Sequence, residues 1–149
     1  MRAMSQENVE TVRSMLEPFK GIDVASIDLD DDGLREAFRP AYSPDFELRT
    51  LDTGIGLGVD DVYRGWDGLA QYLRVWLEPF SEYQIEPLDY VEAGDSVLVP
   101  TRQWGTGSAS GARVELQITF LYELRDGQIT RMVQYNTLEE AREAAGLRE

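Results

Sequence analysis

From Arg113 to Leu124 the side chains alternate: Val114, Leu116, Ile118, Phe120, Tyr122 and Leu124 fall on one face, and Arg113, Glu115, Gln117, Thr119 and Glu123 fall mainly on the other. A period of two held over this length defines a long strand that is covered on one side. Its neighbours read the same way, so the stretch from Tyr83 to Asn136 is expected to form an antiparallel meander of about four strands. Turns are expected at Ala93-Gly94-Asp95, across the Gly/Ser-rich Gly105–Gly111, and at Asp126-Gly127, the strongest short hairpin signal in the chain. Pro87 and Pro100 each lack a backbone donor and therefore mark bulges or edges. Bulges bend sheets, so a strongly curved sheet with helices on its concave side follows.

The helices that would fill the concave side are legible from their three- and four-residue spacing. Val9, Val12, Met15, Leu16 and Phe19 follow Ser5, a helix-capping residue type, and predict a helix from about 6 to 19 that Pro18 and Gly21 help to end. The acidic run Asp28–Asp32 lacks EF-hand spacing and is expected to open a short helix over 34–39, stopped by Pro40. Phe46, Leu48 and Thr50 alternate after Ser43-Pro44 and predict a first strand. Gly54-Ile55-Gly56-Leu57-Gly58 has the wrong spacing for a phosphate cradle and reads as a flap-like loop. Leu69, Tyr72, Leu73, Trp76 and Phe80 form the cleanest helical stripe, opening near Gly65-Trp66-Asp67 and closing at Pro79. A capping box, Thr137-Leu138-Glu139-Glu140, starts a last helix that runs to about Ala145.

The chain has 149 residues, which suits one domain over residues 1–149. It contains no cysteine and no histidine, which removes thiolate nucleophiles, Cys/His zinc sites and imidazole-based triads. A net charge of −14 opposes binding to nucleic acid or an anionic membrane. No apolar run reaches the ~20 residues of a spanning helix, and the first residues do not form a signal-peptide core, so a cytoplasmic protein is expected. Met4 followed by Ser5 is an alternative start to Met1. No metal or other cofactor is expected.

The strand faces also yield a candidate ligand site. If the hairpin after Gly105 pivots near Ser108, facing residues sum to about 216, which sets Arg102 beside Val114 and Trp104 beside Ala112. Arg102 would then enter the concave side, where an unpaired guanidinium calls for a carboxylate, a carbonyl or a bound anion. In the alternative it sits at the cone's open rim, or lies flat on Trp104 with its head in water. The last strand leaves two readings open. A left-handed bulge at Gly127 sends Met132, Gln134 and Asn136 inward, whereas a plain two-residue turn selects Arg131, Val133 and Tyr135.

Several motifs together resemble SnoaL-like members of the NTF2-like superfamily. They are the amphipathic first helix, Ser43-Pro44-Asp45-Phe46-Glu47 leading into a strand, Tyr63-Arg64-Gly65-Trp66-Asp67-Gly68 opening a helix, Leu124-Arg125-Asp126-Gly127-Gln128-Ile129 at the last hairpin, and Tyr135-Asn136 before a terminal helix. The resemblance spans nearly the whole chain. It implies an α+β cone, a curved antiparallel sheet wrapped around N-terminal helices with an internal pocket, and frequent homodimerisation. Pocket positions in the family match Met132, Gln134 and Asn136, which favours the first reading of the last strand.

The family's chemistry carries over poorly. In ketosteroid isomerase-like members a carboxylate base stands where this chain has Thr50, and an oxyanion-binding Asp stands where it has Phe120. Late-strand acids of the cyclases correspond to the neutral Gln134 and Asn136, which are not general bases near pH 7. Of the Asp–Arg–Asp relay of the epoxide hydrolases, only Arg102 has a counterpart, and Trp104 occupies a carboxylate's place. Asp89, Glu47 and Asp52 remain as acids that a bulge near Pro87 would bring inward; otherwise they are solvated.

The expectation is therefore a domain that binds a small, largely apolar, ring-containing molecule. Arg102, Trp104, Phe120, Tyr122, Met132, Gln134 and Asn136 would contact it, beside an aromatic wall of Trp66, Tyr72, Trp76 and Tyr122. A proton-transfer isomerase or cyclase acting on a polyketide- or steroid-like ring is the alternative. A non-catalytic homodimerisation module is a third, with Thr119 and Leu121 on an exposed outer sheet face.

Overall fold

The computed structural model describes residues 2–28, 30–49 and 62–146, with side chains from Gln6 onward. The loop 54–58, Thr50 and Asp52 lie outside the described residues. The helices are α1 (Arg2–Leu16), α2 (Asp32–Phe38), α3 (Gly65–Leu77) and α4 (Leu138–Ala144). The strands are β1 (Tyr42–Arg49), β2 (Val62–Arg64), β3 (Phe80–Pro87), β4 (Val91–Ala93), β5 (Ser96–Gly107), β6 (Arg113–Arg125) and β7 (Gln128–Tyr135). They make one curved, unclosed sheet in the order β2-β1-β7-β6-β5-β3, with β4 also paired to β5. All pairs are antiparallel except β1 with β7, which run parallel.

The α+β architecture matches the sequence expectation, with shifts that have local causes. α1 ends at Leu16, and Glu17–Phe19 tighten into a 3-10 turn around Pro18, which has no N–H to continue an α-helix. Asp31 caps α2 by accepting from the Leu34 N–H at 2.9 Å, so the acidic run is a helix start. The stretch after α3 holds five strands rather than four, because β4 is a separate three-residue piece. β2, too short to show a period, went unread. The Leu88 N–H donates to the Pro100 carbonyl at 2.8 Å. Pro100 thus faces the side of β5 where β3 ends and β4 has not begun, and its missing donor interrupts no bond to β6. At Thr137 the capping box forms in both directions.

One core fills the concave side. Val12 from α1, Leu69, Tyr72 and Trp76 from α3, and Phe46, Leu48, Val99, Ile118, Phe120, Tyr122 and Ile129 from the sheet are buried there together. Burying each large side chain contributes about 1.5–3 kcal/mol. A smaller cluster lies on the convex side, where α4 brings Ala141 against Ala93, Leu98 and Leu121. Leu121 and Thr119, each 3% exposed, are therefore covered and offer no open face for self-association. Among the described residues no helix is long and apolar enough to cross a membrane.

Two hairpins decide which residues look inward. Between β5 and β6 the Gly107 N–H donates to the Ala112 carbonyl at 2.8 Å, closing a loop over 108–111. Arg102 consequently faces Gln117 and Trp104 faces Glu115, a shift of three residues from the expected pairing. An odd shift exchanges the faces of the whole strand. Arg102 and Trp104 are on the convex side, and Val97, Val99, Thr101 and Gln103 are on the concave side.

At the last hairpin Asp126 (φ 54°) and Gly127 (φ 79°) make a plain two-residue turn between the paired Arg125 and Gln128. The expected inversion of faces still does not follow, because the register slips between Glu123 and Leu124. Thr130 is the extra residue, and its hydroxyl donates to the Glu123 carbonyl at 3.1 Å. Ile129 is thus inward, Arg131 faces Glu123 outside, and Met132 and Gln134 return to the core. Asn136 follows the end of β7 and is exposed, so it does not join them.

Candidate functional site

An internal cavity of about 120 Å³ lies between α3 and the concave face of the sheet. Seven of the sequence-predicted site residues come together on its walls: Trp66, Tyr72 and Trp76 from α3, Phe120 and Tyr122 from β6, and Met132 and Gln134 from β7. Tyr72 and Trp76, one helical turn apart, stack with ring centroids 6.2 Å apart, and Phe120 meets Tyr122 edge-on at 5.9 Å.

Three of the predicted residues are elsewhere. Arg102 is on the convex face, 41% exposed, paired with Glu115 at 2.8 Å and Glu86 at 3.5 Å. Its guanidinium lies 4.6 Å from the centre of the Trp104 ring, which is the packing the alternative reading described. Water and two carboxylates remove any need for a bound anion there. Asn136 is the third.

The cavity's polar groups include two tyrosine–glutamine pairs, beside the hydroxyls of Tyr42 and Tyr122. The Tyr72 hydroxyl donates to Gln134 Oε1 at 3.0 Å. The Tyr83 hydroxyl donates to Gln103 Oε1 at 2.5 Å, the Gln103 amide donates to Thr101 Oγ1 at 2.9 Å, and Thr101 donates to the Ile118 carbonyl at 2.6 Å. The polar groups of these two pairs are thereby anchored to the walls rather than left costly and free. Burial pushes the Tyr72 phenol well above its ordinary range. Burial likewise pushes Tyr83 up to about 12, against an opposing bond from Trp76, and raises Tyr122. The phenols are neutral at physiological pH and can both donate and accept.

Tyr83 and Gln103 were missed from sequence. The signal for Gln103 was the register: once the hairpin is placed correctly, its side chain must point inward. The signal for Tyr83 was Gly105, its partner on β5. A Cβ on Gly105 would stand 2.7 Å from Tyr83 Cδ1 and 2.9 Å from the Glu82 carbonyl oxygen, so only glycine lets the tyrosine lie across the strand. No Asp, Glu, Lys or Arg lines the cavity among the described residues, and Glu47, one of the acids considered, pairs outside with Arg49 and Arg64.

A second hollow, of about 420 Å³, adjoins the first and shares Phe38, Tyr42, Trp66 and Leu69 with it as a common wall. It lies beside α2 and the start of β1.

The same architecture is found in solved proteins. TerC, crystallised with polyporic acid, superposes with a TM-score of 0.67 at 20% identity, covering 94% of this chain and 98% of that one. An NTF2-like protein of unknown function from Burkholderia pseudomallei K96243 gives 0.67 at 18% identity over 92% and 95%. A candidate SnoaL-like polyketide cyclase from Jannaschia sp. CCS1 gives 0.65 at 22% identity over 97% and 94%. At such identities the likeness is one of fold. No match is found among curated proteins. The family model for the SnoaL-like domain matches residues 24–132, from the turn before α2 through the bulged return of β7 that carries Met132 inward, and the chain therefore belongs to the SnoaL-like domain family.

Proposed function

We propose that this protein binds a small, largely apolar, ring-containing molecule in the cavity between α3 and the sheet. The observation that carries the reading is the chemistry of the walls: aromatic and aliphatic surface interrupted only by neutral polar groups, the tyrosine–glutamine pairs and the Tyr42 and Tyr122 hydroxyls, among the described residues. Such a lining favours a flat apolar body with one or two oxygen or nitrogen atoms placed against Tyr72–Gln134 or Tyr83–Gln103. At about 120 Å³ the cavity is on the scale of, and slightly smaller than, the ~150 Å³ dry cavity that holds benzene, so a single ring is the size class to test. The co-crystallisation of TerC with polyporic acid supports a small organic ligand as the class. Proton-transfer catalysis is the weaker reading, because the described lining offers no carboxylate or amine to move a proton near pH 7.

Calorimetric titration of the protein with phenol and with indole tests this. Saturable one-site binding is expected, and it should be lost in Met132→Trp, which fills the cavity and costs about 1–3 kcal/mol by overpacking. Near-UV circular dichroism would establish that the variant is folded. If neither ring compound binds the wild type, or if Met132→Trp binds as well as wild type, the reading is wrong.

A further inference from the structure

Two arginines line the hollow beside α2, and Arg35 also borders an adjoining hollow lined by Asp30, Asp31, Asp32 and Asp67. The sequence carries 28 acidic and 14 basic side chains, yet the described lining of this hollow includes Arg35 and Arg39 and no acidic residue. Arg35 and Arg39 follow from the helical spacing of α2, where i and i+4 share a face. Of the apolar residues just ahead of them, Leu34 lines the cavity and Phe38 lines both the cavity and the hollow.

Both guanidiniums are paired, but weakly held. Arg35 meets Asp67, whose side chain is 93% exposed, and Arg39 meets Glu36 at 2.8 Å with both side chains more than 60% exposed. Exposed pairs of this kind contribute little and exchange readily for a better anion. Trp66 continues the cationic wall, since Arg35 lies 6.0 Å from its ring centre.

Phe38 belongs to both spaces. Its ring contacts Trp66 at 5.6 Å, Tyr42 at 6.0 Å and Phe19 at 5.5 Å, so it divides the cavity from the hollow. α2 has no fully buried residue, and its Phe38 packs partly buried against the core. The cavity alone is below the 300–1,000 Å³ usual for small-molecule sites, and the addition of the hollow brings the space into that range.

We infer that the cavity and the hollow are two compartments of one site for an amphipathic aromatic acid. Its ring enters the apolar cavity past Phe38, and its carboxylate is held in the hollow by Arg35 and Arg39. This rests on the proposed binding of a ring in the cavity and adds the charge of the ligand and the residues that read it. An arginine fork suits a carboxylate, and shielding by the Phe38–Trp66 wall strengthens the contact relative to open solvent.

The experiment compares 3-phenylpropionate with its neutral counterpart 3-phenylpropan-1-ol by calorimetric titration of the full chain. The acid is expected to bind about tenfold more tightly at low salt, with the preference shrinking at high salt. Arg35→Gln combined with Arg39→Gln should bring the acid's affinity down to that of the alcohol. Asp67→Asn combined with Glu36→Gln, which releases both guanidiniums, should tighten the acid about two- to fivefold. Equal binding of acid and alcohol by wild type overturns this inference and leaves the ring-binding reading standing. A preference that survives the double arginine variant, or an acid affinity that fails to rise in the released variant, also overturns it. If neither compound binds, this inference is overturned, and the phenol titration decides the ring-binding reading separately.

Discussion

The two faces of β5 and β6 are made by the same strands and differ in every respect that matters chemically. On the concave face Thr101, Gln103, Phe120 and Tyr122 are almost fully buried and uncharged, and Thr101 and Gln103 are held by hydrogen bonds to each other, to Tyr83 and to backbone. On the convex face, one residue along, Arg102, Arg113, Glu86 and Glu115 form partly exposed ion pairs around Trp104. Charge stays outside because burying it costs several kcal/mol per ion, whereas a neutral amide paired with a phenol enters the core cheaply. The concave face is where a ligand can be read by shape and by neutral hydrogen bonds. Around Trp104 the convex face is a solvated lattice, while farther along the strands α4 covers Leu98 and Leu121.

Removing an inner ring should produce the largest effect. Phe120→Ala is expected to cost about 3–5 kcal/mol in urea unfolding, against about 1 kcal/mol or less for Trp104→Ala outside. Similar losses at both positions would erase the distinction.

Next in size is Gln103→Leu, which leaves the Tyr83 hydroxyl without its acceptor and removes the donor to Thr101. A loss of about 1–3 kcal/mol is expected, and an unchanged unfolding midpoint would mean that the pair is not formed in solution.

Alkaline titration then sharpens the comparison. With Tyr83 held up to about 12 by burial, both the folded and the unfolded chain keep the proton below pH 10 and stability is at its full value. Above pH 10 the unfolded chain releases the proton first, so stability should fall by up to about 1.4 kcal/mol per pH unit per tyrosine until the folded state also ionises. The buried Tyr72 and Tyr122 add to the slope in the same direction. Urea midpoints measured from pH 8 to 11 give the answer, and a flat profile would contradict the burial of these phenols. The smallest effect is expected from Arg102→Met, within about 1 kcal/mol, since it breaks only exposed pairs.

Periodicity was enough to read the long strand, the stripe of α3 and the capping box at Thr137, because each depends on neighbours in sequence. It could not place the faces of β5. That required the number of residues in the Gly107–Ala112 loop, which hydrogen bonds across the turn decide. The glycine-rich composition of that loop permits several lengths, and an error of three residues moved Arg102 and Trp104 from one face to the other. The last strand was legible only through family resemblance. Its turn is the one that predicts the opposite face, and the correction comes from the bulge at Thr130, which has no glycine to announce it. Seven residues of the expected site meet at the cavity because they sit on elements whose periodicity or family position was clear.

The three tryptophans allow the most direct test of the central claim, that the concave cavity is where a ring compound binds. Trp66 and Trp76 line the cavity and Trp104 stands on the convex face. Their indole N–H signals can be followed in one nitrogen-15 spectrum while phenol is added. The account predicts saturable shifts of the Trp66 and Trp76 signals with Trp104 unmoved. Shifts confined to Trp104, or no saturable shift at Trp66 and Trp76, would contradict it.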